Sequence, residues 1–309
     1  MIRLYSFMNI RIEVDVMDYY RIGMVIKELR LQRNMTQKEL SDRICTQGQL
    51  SKIEKGEVIP NSSTLYELAG RLGVEISYIY EQAASERCDY VLETFAVIRQ
   101  AIRDRDYAKV AEIIRNEKSN PLFAAPSPRQ FLIWHEGIVT YYIDKDREGS
   151  LKLLQEAVEI TQQSHVYTER HIEILNSIGI IHLEEEQNEK AVECFLQCLD
   201  LLLKTPHDID ITIKIRLLYN LSKACHLLKQ YDKAILHARQ GIRVCKQCET
   251  MYLLGELYFQ CASSMMADRR ETQAIQQLLE QSFALFTMQE KSAFADVVQK
   301  QLDNLRQTI

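Results

Sequence analysis

The feature that most constrains this chain is a recurrence of small residues through its C-terminal part. Gly179, Ser222 and Ala262 occupy matching places in three successive helical stretches. Ala191, Ala234 and Ala274 follow them by twelve residues each, and Phe195, Ala238 and Leu278 by four more. How closely two helices approach depends on the side chains at their contact, so small residues at a fixed interval predict helix pairs that touch at those points. Steps of 43 residues (179 to 222) and 40 residues (222 to 262) set the length of one unit. Self-similarity on this scale marks an array in which each unit buries its apolar face against its neighbours. Only 10 Gly and 5 Pro among 309 residues leave few positions that break helices.

The small–small interval of twelve resembles the tetratricopeptide repeat, although that unit is about 34 residues long and these are longer. An earlier segment, Trp134, Gly137 and Tyr141 with Ala157, reads as another unit with a turn one residue longer. A divergent first unit is expected from Cys88 to Lys118, with its turn at Tyr107–Ala108, and a closing helix from Ser292 to Leu305. The fold expected for residues 83–309 is therefore an α-solenoid of about five helix pairs with a capping helix. Its first helices should line a concave groove. Asn176 and Asn220 stand on two of them. Each side chain offers an acceptor and donors that match a peptide bond, although each taken alone also reads as a solvated helix residue. Arg105, Glu256 and Gln260 are further polar candidates, and Tyr80 is placed as a wall near the junction with the preceding domain.

Residues 21–82 read as a small helical bundle. Ile22, Val25, Ile26 and Leu29 make one buried helix face. Thr36 with Glu39 forms a capping box for a second helix. After a break at Cys45-Thr46, Thr46 caps a third helix from Gln47 to Lys55, and Gly56 stops it. Pro60, with Ser62 and Ser63 as caps, opens a fourth helix, and Ile76 to Tyr80 suggests a fifth. Two short helices joined by a tight break, the second with a polar first turn, are what reading the major groove requires. The expected contacts are Gln47, Gly48, Gln49, Ser51, Lys52 and Lys55. Gln pairs bidentately with adenine, and Lys reaches guanine or phosphate. Thr36, Gln37 and Thr46 lie at helix starts, where backbone N–H groups meet phosphate. Nine basic and eight acidic side chains leave residues 21–82 nearly neutral, so one copy is a weak electrostatic footprint and dimerisation is expected.

Thr36-Gln37-x-x-Leu40-Ser41 followed by Leu50-Ser51-Lys52-Ile53-Glu54-x-Gly56 resembles the repressor/Xre helix-turn-helix, with a turn one residue shorter. Together with the repeats, the stretches 29–41, 51–56, 218–224 and 255–260 resemble the RRNPP family, the peptide-responsive quorum-sensing transcription regulators of Gram-positive bacteria. The resemblance implies an all-α fold and a homodimer that binds double-stranded promoter DNA and a short signalling peptide. It implies that Asn176 and Asn220 match the family's peptide-clamping asparagines. Arg105 falls where relatives have a basic peptide contact, and Glu256 where they have a glutamine. A carboxylate at that place favours a ligand with a donor or positive charge nearby. Residues 1–20 form an extension; its first sixteen residues have no counterpart, which makes Met17 a candidate start. The alternative reading is a repeat-based interaction or scaffold protein with no role on DNA.

Other chemistry has little support. No apolar run of about 18 residues is present to cross a membrane, and the N-terminus lacks the pattern of a signal peptide, so a cytoplasmic protein is expected. The eight cysteines then read as free thiols. Cys245-x-x-Cys248 and the pair Cys194 and Cys198 lack the companions of a zinc site. No catalytic constellation or phosphate loop stands out, so neither an enzyme nor a cofactor is expected.

Overall fold

The computed structural model describes residues 19–83, 86–160, 167–205 and 209–307. The expectations for the N-terminal extension and Met17 lie outside them. Sixteen α-helices and no strand are found among the described residues. By internal contacts the chain divides into two compact units, residues 1–135 and 136–309.

The first unit begins with five helices: α1 (Tyr19–Gln32), α2 (Gln37–Ser41), α3 (Gln47–Glu54), α4 (Ser62–Arg71) and α5 (Ile76–Ala83). Their apolar faces converge on one core that includes Ile22, Ile26, Leu40, Leu50, Ile53, Leu68 and Ile79. The helix starts are capped by side chains. Thr36 Oγ1 accepts from the Glu39 N–H, and Thr46 Oγ1 from the Gln49 N–H. The cap of α4 is Asn61 rather than Ser62 or Ser63: its Oδ1 accepts from the Thr64 N–H at 2.8 Å. Three short polar residues in a row compete for this role, and the one whose backbone is extended takes it. The unit continues with α6 (Glu86–Arg103), α7 (Tyr107–Glu117) and most of α8 (Pro126–Val139). Here Phe95 stacks on Phe131 with ring centroids 3.9 Å apart. The turn of this first pair lies at 104–106, with Tyr107 already opening α7, three residues before the expected place.

The second unit holds α9 (Arg147–Glu159), α10 (Glu169–Glu184), α11 (Asn188–Lys204), α12 (Ile211–Leu227), α13 (Tyr231–Gln247), α14 (Leu254–Ala267), α15 (Thr272–Met288) and α16 (Ser292–Gln307). Each helix packs on the next in chain order, and α12 also touches α10 and α14, the first helices of the neighbouring pairs. The recurring small residues stand where the helices meet. A Cβ on Gly179 would lie 2.5 Å from Phe195 Cε1. Ser222 Oγ donates to the Ala234 carbonyl at 2.7 Å, and Ser150 Oγ to the Gly137 carbonyl at 2.6 Å. The longer turn before α9 is accommodated by a widened helical turn at Thr140–Asp144. In the turns that follow α6, α12 and α14, Arg105, Lys229 and Arg269 adopt the left-handed conformation; Lys145 and Glu186 do so after Asp144 and α10. These turns use no glycine, in keeping with its scarcity.

Gly23 marks a close backbone contact in the bundle. A Cβ there would lie 1.9 Å from the Ile53 carbonyl oxygen of α3, and backbone cannot yield as a side chain does. Gly23→Ala is therefore expected to lower the stability of the bundle by about 3 kcal/mol. Gly48→Ala, which meets nothing within 4 Å, is expected not to lower it. Thermal melts of the two variants followed by circular dichroism check this.

Candidate functional sites

The first candidate surface is the outer face of α3 and the start of α2. Leu50 and Ile53 point inward, which turns Gln47, Gly48, Gln49, Lys52 and Lys55 to solvent, with Ser51 half-buried beside them. Thr46 is exposed and its hydroxyl is engaged by the Gln49 N–H at 3.1 Å. The exposed Thr36 sits in a closed capping box: its N–H donates to Glu39 Oε2 at 2.7 Å. That bond from the Thr36 backbone, and a second from its hydroxyl, hold the Glu39 carboxyl below its ordinary pKa.

This face rests on a buried ion pair that the pattern of motifs does not announce. Arg30 Nε and Nη2 hold the two oxygens of Glu54 at 2.6 and 2.9 Å, tying α1 to α3. Gln37 Nε2 donates to Glu54 Oε2 at 2.8 Å, so this side chain is partly committed to the fold and its backbone N–H is what α2 presents. Arg71 reaches the carbonyls at the end of α2, donating to those of Leu40 and Asp42. The one signal in the sequence is a charged residue continuing an apolar stripe: Arg30 stands four residues after Ile26 and eight after Ile22.

The second candidate surface is built on the first helices of the pairs in unit two. Asn176 of α10 and Asn220 of α12 are both buried and joined directly: Asn220 Nδ2 donates to Asn176 Oδ1 at 2.9 Å. Neither is a solvated helix residue. One turn earlier, Glu173 of α10 and Arg216 of α12 approach to 3.6 Å. On α14, Glu256 Oε1 accepts from Lys291 Nζ at 2.8 Å, while its Oε2 is buried without a partner. Gln260 stands one turn further along α14, with Nε2 3.4 Å from Ser264 Oγ. Ser264 Oγ in turn meets Nδ1 of His226 from α12 at 2.9 Å. Thus Asn176 and Asn220 are brought together, and Glu256 and Gln260 share the next first helix. Arg105 and Tyr80 belong to the other unit. Arg105 is exposed in the turn after α6, and Tyr80 packs against the core of the bundle.

Cys198, Cys225, Cys245 and Cys261 are buried in the packing of the repeat helices. Burial pushes the Cys198 thiol up to about 12 and the Cys245 thiol up to about 11, so neither is a ready thiolate. No group of His, Cys, Asp and Glu suited to a metal ion occurs among the described residues. No helix among them is long and apolar enough to cross a membrane.

Burial also sets a pH dependence. It holds the imidazoles of His182 and His226 below their ordinary pKa. For a folded-state pKa below the unfolded one, the stabilisation is present above about 6.5 and is lost as pH falls, because the unfolded chain binds the proton more readily. The melting temperature of the repeat helices is expected to fall between pH 7 and pH 5, and His226→Gln is expected to flatten that slope. Melts across this range test both.

Comparison with known proteins follows the same division. The model of the RNPP family C-terminal domain matches residues 96–305, and a helix-turn-helix model matches residues 26–79. Among curated proteins, none matches by sequence. The fold is similar to that of PlcR from Bacillus thuringiensis, solved in complex with the peptide PapR7 and DNA. The TM-score is 0.78 at 24% identity, covering 90% of this chain and 99% of that one. It is also similar to ComR from S. thermophilus in complex with DNA and its signalling peptide ComS, with a TM-score of 0.62 at 16% identity, covering 92% and 99%. The SHP pheromone receptor Rgg2 from Streptococcus dysgalactiae gives a TM-score of 0.59 at 11% identity, covering 93% and 100%.

Proposed function

The chain belongs to the RNPP family, and on that premise we propose that it is a homodimeric, cytoplasmic transcription regulator whose binding to promoter DNA is governed by a short signalling peptide held on its repeat helices. The single observation that carries the reading is the buried Asn176–Asn220 pair. The bond between them uses one donor of Asn220 and one lone pair of Asn176. Asn176 Nδ2 and Asn220 Oδ1 are left over from that bond as a donor and an acceptor, the two kinds of group that one peptide unit complements. The DNA and peptides present in the similar PlcR and ComR structures support the same reading.

In this reading the helix-turn-helix is the output. Gln47 and Gln49 read base edges, Lys52 and Lys55 meet guanine or phosphate, and the starts of α2 and α3 take phosphates through Thr36, Gln37, Thr46 and backbone N–H groups. Gly48, with open space around it, lets the DNA backbone approach closely. Ser51 supports the rim of this face. Arg105, Glu256, Gln260 and Tyr80 add polar and aromatic contacts to the peptide, and Glu256 Oε2 takes a donor from it. The regulator is not an enzyme. Gating requires that the peptide bind the DNA-competent arrangement more tightly than the other.

A mobility-shift titration on the promoter region upstream of the gene tests the output. Specific binding is expected to weaken steeply with salt. Gln49→Ala is expected to lower the ratio of specific to non-specific affinity about tenfold, as for loss of one base contact. Asn220→Ala is expected to keep its helicity while losing the response to peptide. A peptide that binds but leaves operator affinity unchanged contradicts the gating, and unfolding of Asn220→Ala assigns that residue to structure instead.

A further inference from the structure

The pairs that link the first helices of the repeats are not equally complete. Asn176 and Asn220 bond to each other, and Glu256 meets Lys291 at 2.8 Å through Oε1 while its Oε2 is buried without a partner. Arg216 is the cation left incomplete. Its approach to Glu173, at 3.6 Å through Nη1, is longer than a hydrogen bond, and its Nε is buried with no partner. Burial works against its charge, yet Tyr252 and Glu173 outweigh that and hold the guanidinium above its ordinary pKa. The group therefore stays charged with its fork only partly used. A buried donor left unpaired is costly, and native structures rarely keep one without a use for it.

The surroundings indicate what would complete it. Lys223, seven residues on, shares the face of α12 that carries Arg216, and α12 itself holds no acidic residue; Glu173 and Asp210 are the carboxylates whose charge reaches the guanidinium. The Nε edge of a guanidinium grips a carboxylate bidentately, and this chain does so elsewhere: Arg30 holds Glu54 through Nε and Nη2 at 2.6 and 2.9 Å. A third of the Arg216 side chain is exposed, so a ligand meets the guanidinium from that side and reaches the buried Nε once the side chain turns toward it. Arg216 lies four residues before Asn220, a rise of about 6 Å along the helix. An extended peptide covers that distance within two residues at about 3.3 Å each.

We propose that Arg216 selects the ligand by charge: it takes a carboxylate of the bound peptide, placed within two residues of the unit clamped by Asn176 and Asn220. The inference rests on the peptide-binding reading above. The carboxylate is either the free C-terminus of the peptide or an Asp or Glu side chain within it. Glu173 and Tyr252 act as positioning residues that hold the guanidinium in place.

The test is selection from a synthetic heptapeptide library made in two forms, with free C-terminal acids and with C-terminal amides. Each is passed over the immobilised full-length protein, and the retained peptides are sequenced by mass spectrometry. The wild-type protein is expected to enrich peptides with a carboxylate at a fixed position by tenfold or more. Loss of retention on amidation assigns it to the C-terminus; persistence with one Asp or Glu position assigns it to a side chain. Arg216→Gln is expected to abolish the enrichment while still retaining peptides, and Arg216→Lys, which keeps the charge without the fork, to keep a weaker one. Thermal melts confirm that both variants are folded. If Arg216→Gln does not fold, the Arg216→Lys result decides: full wild-type enrichment there overturns the proposal. Retained peptides with no acidic preference, or a preference that survives Arg216→Gln, overturn the role of Arg216 alone. Retention of no peptide by the wild-type protein, or equal retention by Asn220→Ala, overturns the peptide-binding reading as well.

Discussion

Everything in the repeat unit depends on how closely paired helices approach at their small residues. With Gly179 against the ring of Phe195, α10 and α11 are locked at one register, because no side chain fits between them. Where the small residue is Ser222, Ser150 or Ser282, the hydroxyl donates to a carbonyl of the paired helix and adds a directional bond to the contact. The register within each pair then fixes the register between pairs. Glu173 meets Arg216, and Asn176 meets Asn220, only because α10 and α12 are held at a constant offset. A polar ladder across first helices is thus a consequence of packing elsewhere, which is how a solenoid built from nearest-neighbour contacts holds a site across several repeats.

The helix-turn-helix bundle solves a different problem with a different interaction. A reading helix of eight residues is too short to be stable alone. Its orientation comes from α1, through the backbone contact at Gly23 and the buried pair of Arg30 and Glu54. Removing one partner of such a pair costs about 3–5 kcal/mol, because the other is left buried and uncompensated. Glu54 also receives Gln37, so the start of α2 and the end of α3 share one anchor. The polar face of α3 is left free for a ligand because its orientation is set from behind.

Much of this was legible in the sequence, for reasons that can be named. Apolar periodicity and the small residues located the helix pairs, since both are local or repeat at one spacing. Asn176 and Asn220 are singled out in the sequence by their place in the repeat and by family resemblance. The bond between them was not foreseen, because it depends on the offset of two helices 44 residues apart. The same limit hid Arg216 with Glu173 and Arg30 with Glu54, whose partners are far apart in the chain and match no motif spacing. The cap of α4 was misplaced by one residue because Asn61, Ser62 and Ser63 all have cap chemistry, and only backbone conformation separates them. The first turn was misplaced because its left-handed residue is Arg105 rather than a glycine.

In the proposed reading, the two kinds of polar group on the first helices divide the work of recognition. With the bond between them kept, Asn176 Nδ2 and Asn220 Oδ1 pair with the peptide backbone, and each such neutral bond contributes only about 1 kcal/mol net. Such bonds set where a peptide lies but discriminate little between sequences, because every residue has the same backbone. Arg216 Nε and Glu256 Oε2 have no bond to give up. A ligand that pairs with them gains the interaction and also removes the cost of an unpaired buried group, and hydrogen bonds to charged groups are worth about 1.5–3 kcal/mol. A ligand lacking the matching group leaves that cost in place. In the proposed reading the asparagines therefore fix register, and the two incomplete charges, one on α12 and one on α14, separate one peptide from another.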